Sequence, residues 1–171
     1  MRLPLAITFL LAATLSADAA PQAGSKQPEA HKTAQIVTVT GECTKLVHAG
    51  VATEGCKPIL VNMNYSTGVS AYWFVTERTI LSFSGDGSRR VEQGPGIVVQ
   101  AIDRVVSAAT TGQVKDEDTK EEAAIGFCRF GNPTMKGSTL ECVAHTQAGR
   151  YEGSFVTDGS PPNFQAIQVN Q

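Results

Sequence analysis

The chain has 171 residues, and its 14 lysines and arginines nearly balance 16 aspartates and glutamates, which leaves a formal net charge of −2 at pH 7. This near-neutral balance offers no cationic surface for nucleic acid or for an anionic membrane, so neither is expected as a partner. The length is sufficient for one domain with its own hydrophobic core.

Residues 1–19 have the pattern of a cleavable secretory signal peptide. Arg2 supplies the positive charge, an apolar stretch runs from Leu3 to Leu15, and Ala17-Asp18-Ala19 fits the small-x-small cleavage rule. The mature protein is therefore predicted to begin at Ala20 and to be periplasmic or secreted. The alternative, a retained membrane anchor, is disfavoured because a spanning helix needs roughly 20 apolar residues. No later stretch approaches this length, so no membrane span is expected after the signal is removed.

Residues 20–34 are polar, small and proline-containing, which is typical of a disordered lead or linker. Residues 35–171 are predicted to form a single β-rich domain. Its first strands are expected at Gln35–Thr40, which is rich in valine and isoleucine, and at Thr44–His48.

The segment from Ile59 to Val75 is predicted to be a β-hairpin. Apolar and polar residues alternate along Ile59–Tyr65, and Val69–Val75 is rich in β-branched and aromatic residues. Ser66-Thr67-Gly68 fits a three-residue loop whose last residue adopts the left-handed conformation that glycine tolerates. This loop pairs Asn62 with Tyr72 and collects the polar side chains on one face. A two-residue loop is the alternative, and it would exchange the faces of one strand.

A third strand is expected at Thr79–Phe83, which would extend the hairpin to a three-stranded meander. It is expected to end at the turn-forming residues 84–88. Ile97–Val106 fits either an interior strand or a short helix, and its valine and isoleucine content favours the strand. Residues 107–122 are mostly polar and are predicted to form a long polar loop or a short exposed helix. The last third of the chain returns to β-type patterns, with strands predicted at 124–130, 138–146 and 151–156 and a further edge strand at 164–169.

Four cysteines in an exported chain indicate two disulfide bonds, because their number is even and the compartment is oxidising. Three connectivities are possible, and we predict Cys43–Cys56 and Cys128–Cys142, each closing a hairpin. No C-x-x-C pair suggests zinc, and a bridged cysteine has no thiolate for catalysis, so no metal site is predicted. The expected fold is all-β, a small antiparallel barrel or sandwich of about seven to nine strands with two hairpin disulfides.

Sequence motifs for catalysis are missing from the chain. It has no G-x-S-x-G elbow, no P-loop, no dinucleotide fingerprint and no H-E-x-x-H, so neither a cofactor nor a catalytic residue is predicted. His48 and His145 are the only histidines in the predicted fold, and an enzyme that uses either of them is kept as an alternative.

A binding surface is the remaining functional feature. The predicted register gathers amide and aromatic side chains on one face of the meander, taken to be its outward face, where such groups bind sugars or peptides. Arg89 and Arg90 follow the turn after the third strand and are placed to contact an anion. The candidate binding residues are Asn62, Asn64, Tyr72, Phe74, Arg89 and Arg90. The alternative is that this face packs under another strand and closes a barrel.

Several strings in the chain carry a resemblance to known proteins. The chain resembles an uncharacterised family of exported proteobacterial proteins in the strings TGECTKLV, CKPILVNMNYSTG, ILSFSGDGSRR, GFCRFGNP and DGSPP. That resemblance implies an envelope protein and assigns neither an activity nor binding residues. The string SFSGDGSRR also resembles the Ser-Gly-rich loop of periplasmic lysozyme inhibitors, which are small disulfide-bearing β-barrels. The aromatic residues that those inhibitors carry after the loop are missing here.

The function expected from these features is that of a non-catalytic binding or envelope-associated module, exported and held by disulfides. Its partner would be an unknown protein or glycan in the envelope. One alternative is a proteinaceous inhibitor of a hydrolase such as lysozyme, in which the loop Ser84–Arg90 contacts the enzyme. The second alternative is the enzyme that uses His48 or His145.

Overall fold

The computed structural model describes residues 33–110 and 119–169, which form one antiparallel sheet of 11 strands. The predicted signal peptide and residues 20–32 of the predicted lead lie outside this part of the chain. The strands are β1 (Thr33–His48), β2 (Val51–Ala52), β3 (Ile59–Tyr65), β4 (Val69–Val75), β5 (Thr79–Asp86), β6 (Val91–Glu92), β7 (Val98–Ala109), β8 (Thr119–Phe130), β9 (Thr139–Thr146), β10 (Gly149–Thr157) and β11 (Asn163–Gln168). A single turn of 3-10 helix, Gly87–Arg89, separates β5 from β6.

Eight of the strands close into a barrel. The order is β1-β3-β4-β5-β7-β8-β9-β10, and β10 pairs again with β1. Strand β1 makes this closure possible because its 16 residues pair with different strands along its length, and its bulge between Cys43 and Lys45 lies within the part that pairs with β10. Its first half pairs with β3 and β11, and its second half pairs with β10. The prediction of an all-β barrel or sandwich is therefore confirmed as a closed barrel with three additional strands.

The barrel interior is filled by alternate residues of every strand, as the period of two along a strand requires. Aromatic rings from neighbouring strands meet there, with Phe74 and Phe83 at a centroid distance of 5.7 Å in an edge-to-face arrangement. The largest fully buried side chains are Tyr151, Phe74, Phe83, Phe155, Gln100 and Val105.

The predicted register of the β3–β4 hairpin is confirmed. Asn62 stands opposite Tyr72 and Leu60 stands opposite Phe74, and the three-residue loop ends at Gly68 with φ 90°. Of the two placements considered for this face, the outward one is wrong and the alternative, in which the face closes a barrel, is confirmed, because Tyr72 and Phe74 are buried inside the barrel. The opposite face of the hairpin, which carries Tyr65 and Trp73, packs into a small outer cluster around Met63.

Several boundaries differ from the prediction. Strand β1 begins at Thr33, within the predicted lead, and β5 extends to Asp86, through residues predicted to form a turn. Strand β1 is continuous through Gly41, where two separate strands were expected, because pairing with β3 up to Thr40 is followed directly by pairing with β10 from Gly41. The polar loop predicted at 107–122 is shorter than expected. Residues 107–109 belong to β7 and residues 119–122 belong to β8, where Ser107 pairs with Lys120. Residues 111–118 lie outside the described residues. Ile97–Val106 is strand from Val98 onward, as favoured.

Both predicted disulfides are present, and no cysteine is free. Cys128 and Cys142 are cross-strand partners in the β8–β9 hairpin. Cys43 lies in β1, whereas Cys56 lies in the connection before β3, so this bridge ties a strand to a loop. Such bridges form and persist in oxidising compartments, which agrees with a location outside the reducing cytosol.

Candidate binding site at the barrel mouth

Four of the six predicted binding residues come together at one end of the barrel. This end, called the mouth here, is where β3 ends and β4 begins. Asn62, Asn64 and Tyr72 project into it from these two strands, and Arg90 reaches it from the segment after the 3-10 helix. Phe74 lies two residues deeper and belongs to the closed core. Arg89 lies elsewhere, beside an outer groove that Phe127 also lines.

The mouth opens into a cavity of about 130 Å³. Its wall is mostly apolar and comes from both halves of the barrel, because β1, β3, β8, β9 and β10 all contribute side chains. The residues 131–139 after β8 form one side of it, and this segment is held by a hydrogen bond from Thr157 Oγ1 to the Pro133 carbonyl (2.9 Å). The main lining residues are Val37, Val39, Leu60, Asn62, Tyr72, Arg90, Phe130, Pro133, Leu140 and Phe155.

Arg90 is fixed in place by neutral acceptors. Its Nε donates to Gln100 Oε1 (3.0 Å), and its Nη2 donates to Ser70 Oγ (2.7 Å) and to Asn64 Oδ1 (3.1 Å). The guanidinium carbon also lies 5.6 Å from the centre of the Phe130 ring, within the range of a cation–π contact. These contacts hold the planar guanidinium group of Arg90 in one orientation without a bound ligand.

No carboxylate among the described residues forms an ion pair with Arg90. Its Nη1 also has no acceptor in the part of the chain that the structure describes. Of the described lining residues, Arg90 is the only charged one. The mouth therefore carries a positive charge that the surrounding groups orient without neutralising.

The amide and hydroxyl groups behind Arg90 form one connected network. Asn64 Nδ2 donates to Asn62 Oδ1 (2.7 Å), and Asn62 Nδ2 donates to Ser70 Oγ (3.0 Å). Tyr72 donates its hydroxyl to Gln100 Oε1 (3.2 Å). Burial raises the pKa of Tyr72 to about 12 against the opposing effect of the Arg90 charge, so Tyr72 stays a neutral donor at physiological pH.

Gln100 is the site residue that the sequence did not reveal. It is fully buried, it accepts from Arg90 and Tyr72, and its Nε2 donates to the Ser70 carbonyl (3.1 Å). A glutamine within the apolar run IVVQAI was the available signal, because a buried polar side chain needs partners that the run itself cannot supply.

The two histidines of the enzyme alternative do not come together. His48 contacts the ring of Tyr151 at the far end of the barrel, with the ring centres 5.1 Å apart. His145 is exposed on β9 and pairs with Arg150 and Ile125, which also face outward. Within the described residues no group of histidine, cysteine, aspartate and glutamate side chains is arranged to hold a metal ion.

Comparison with protein-family models, with curated proteins and with solved structures returns no match to this chain. Among residues 33–110 and 119–169, no helix has the length and apolar character needed to cross a membrane. The site must therefore be interpreted from its own geometry.

Proposed function

We propose that this protein is an exported, non-catalytic binding module and that the barrel mouth around Arg90 is its recognition site. One observation carries the proposal: an apolar cavity ends at a guanidinium group that is oriented by neutral partners and lacks a counter-ion among the described residues. An oriented donor beside an apolar wall is the usual composition of a small-molecule site, and eight-stranded barrels can hold one small ligand.

Export is part of the same proposal. The pattern of residues 1–19 and the two disulfides support it, because bridges of this kind are maintained in the periplasm or outside the cell. Protein recovered from the periplasm or the medium should begin at Ala20 and contain no alkylatable thiol. Recovery of the full chain in the cytosol with four free thiols would contradict export.

A fragment screen tests the recognition site. Isotope-labelled mature protein is titrated with a chemically mixed set of small fragments, and backbone amide shifts are followed by NMR. We expect the hits to perturb residues of the lining, among them Leu60, Leu140 and Phe155. Val37 lines the cavity, so the larger side chain of Val37→Phe should reduce its volume and abolish these shifts while the rest of the spectrum is kept. A screen in which no fragment perturbs the lining overturns the proposal.

The hydrolase-inhibitor alternative has less support from the contacts of Ser84–Arg90. Asp86 caps the following turn by accepting from the Ser88 amide (2.9 Å), and Arg90 folds back into the mouth. Ser88 and Arg89 remain exposed for a partner enzyme. An assay of lysozyme activity with a molar excess of the mature protein decides the matter, and inhibition that Arg89→Gln removes would favour this second candidate.

A further inference from the structure

We propose that the ligand of the mouth is a small apolar molecule with one carboxylate, which places its anionic group on Arg90 and its apolar body in the cavity. The inference depends on the proposed function, because it names the ligand class of the same site. It follows from the charge, the size and the polarity of the cavity, which are independent of one another.

The charge argument concerns the unused donor capacity of Arg90. Nε and Nη2 already donate to Gln100, Ser70 and Asn64, and all three acceptors are neutral. Nη1 has no acceptor among residues 33–110 and 119–169. A carboxylate is the group whose geometry suits a guanidinium, and hydrogen bonds between two charged groups are about twice as strong as neutral ones.

The number of charges limits the ligand to one negative group. No second cation lies among the described lining residues, whose other polar members are neutral amides and hydroxyls such as Asn62 and Ser138. A second negative charge in this apolar wall would be left without compensation, and an uncompensated charge is costly to desolvate. A monocarboxylate is therefore favoured over a phosphate monoester or a dicarboxylate.

Size and polarity define the rest of the molecule. The cavity measures about 130 Å³, and an apolar cavity of roughly 150 Å³ is known to hold one benzene molecule. The apolar part of the lining includes Leu60, Leu140 and Phe155, all of which are buried and lack polar side-chain atoms. The apolar body should thus be close to one aromatic ring or a short branched chain, and benzoate is a suitable probe.

The test compares benzoate with benzamide at neutral pH, where the acid is ionised and the amide is a neutral molecule of the same shape. Affinities are measured from amide shifts of the mature protein. We expect benzoate to bind about 10- to 100-fold more tightly than benzamide, the difference that one charge-assisted hydrogen bond typically makes. Arg90→Gln should remove this preference, and Arg90→Lys should keep part of it.

Arg89→Gln is the matched control, because it removes the same charge from the neighbouring residue, which does not line the cavity. It should leave the preference for benzoate unchanged. Circular dichroism of each variant identifies loss of folding, and Val37→Phe gives a second line of evidence, since it should weaken benzoate binding with Arg90 intact.

Four outcomes overturn the inference. Benzamide binding as tightly as benzoate shows that the mouth binds ligands but is not selective for carboxylates. A preference for benzoate that persists in folded Arg90→Gln shows that Arg90 is not the group that recognises the carboxylate. Failure of benzoate to shift any lining residue, while other fragments do, excludes this ligand class and leaves the proposed function standing. Failure of every fragment removes the proposed function as well.

Discussion

Cys128 and Cys142 stand directly opposite each other on β8 and β9, and their bridge lies inside the barrel, where the two residues are 0% and 1% exposed. The bridge between Cys43 and Cys56 joins residues that are only half buried. A reductant must reach the sulfur atoms to attack them, so the two bridges should differ in their resistance to reduction of the native protein.

We expect a mild thiol reductant to open Cys43–Cys56 first and to leave Cys128–Cys142 intact until the barrel unfolds. Timed alkylation followed by peptide mass spectrometry measures both rates in one experiment. Addition of denaturant is the control, because it should make the two rates similar. Equal labelling of Cys128 and Cys43 in native buffer would show that the interior bridge is accessible.

Glu122 should make the protein lose stability in acid. It accepts hydrogen bonds from Lys120 Nζ (2.6 Å), Thr146 Oγ1 (2.5 Å) and the Tyr151 hydroxyl (2.9 Å), and these bonds lower its pKa from 4.5 to about 2. Because the folded-state pKa lies below the unfolded value, this stabilisation is present above pH 4.5 and is lost as the pH falls towards about 2.

Glu122→Gln should lower the free energy of unfolding at neutral pH by about 1–2 kcal/mol, a value that allows for solvent screening of the partly exposed carboxylate. It should also flatten the dependence of that free energy on pH in the acid range. Urea titrations at several pH values provide the measurement. Glu121→Gln is the control, since Glu121 faces outward and its ion pair with Arg104, the one it forms among the described residues, is exposed. Equal pH slopes for Glu122→Gln and the unmodified protein would refute the assignment.

The three tyrosines should resist ionisation in alkali. Burial raises the pKa of Tyr65, and it raises the pKa of Tyr72 to about 12. Burial and the neighbouring Glu122 carboxylate raise the pKa of Tyr151 to about 12. A folded-state pKa above the unfolded value near 10 means that this stabilisation is complete below pH 10 or so and declines as the pH rises towards about 12.

Ultraviolet titration of phenolate absorbance tests this expectation. At a pH of about 11 the folded protein should show only a small part of the absorbance that the denatured protein shows, and the remainder should appear together with unfolding. Tyr72→Phe should reduce the late, cooperative part of the signal. An absorbance change in the folded protein centred near pH 10 would mean that water reaches Tyr72 and Tyr151 freely.

Local pattern predicted most of the strands and both disulfides, because hairpin register depends on the loop and on alternation within a few residues. Ser66-Thr67-Gly68 was enough to place Asn62 opposite Tyr72. The direction of that face could not be predicted in the same way, since it depends on the pairing of β1 with β10, whose partners Gly41 and Thr157 lie far apart in the chain. Closure of the sheet is a long-range property that no single hairpin encodes.

Local pattern likewise predicted some residues of the candidate site and missed those that depend on long-range contacts. Asn62, Asn64 and Tyr72 were selected because the predicted register places them on one face, and Arg90 was selected because it follows a turn. The barrel brings these four residues together. Arg89 has the same chemistry as its neighbour, yet it points to the outer groove, because the 3-10 turn sends consecutive side chains in different directions. Gln100 was missed because two of its partners, Tyr72 and Ser70, lie on β4, 28 and 30 residues earlier in the chain.

Gly153 offers a test of packing at the centre of the barrel. A Cβ atom at this position would lie 2.4 Å from two ring atoms of Phe74, which is fully buried and packs edge-on against Phe83. Because the ring has no room to move, Gly153→Ala should destabilise the protein by about 1–3 kcal/mol, and each kcal/mol should lower the melting temperature by about 2–4 °C.

Ser154→Ala is the matched control for this substitution, because Ser154 is the next residue on β10 and faces outward, so its change in stability should stay within about 0.5 kcal/mol. Phe74→Leu in the Gly153→Ala background supplies the decisive comparison. If the clash with the ring causes the loss, the smaller side chain should cost less stability in the alanine background than in the unmodified protein, a positive coupling between two contacting residues. Additive effects of the two substitutions would place the cause in the backbone of β10 instead.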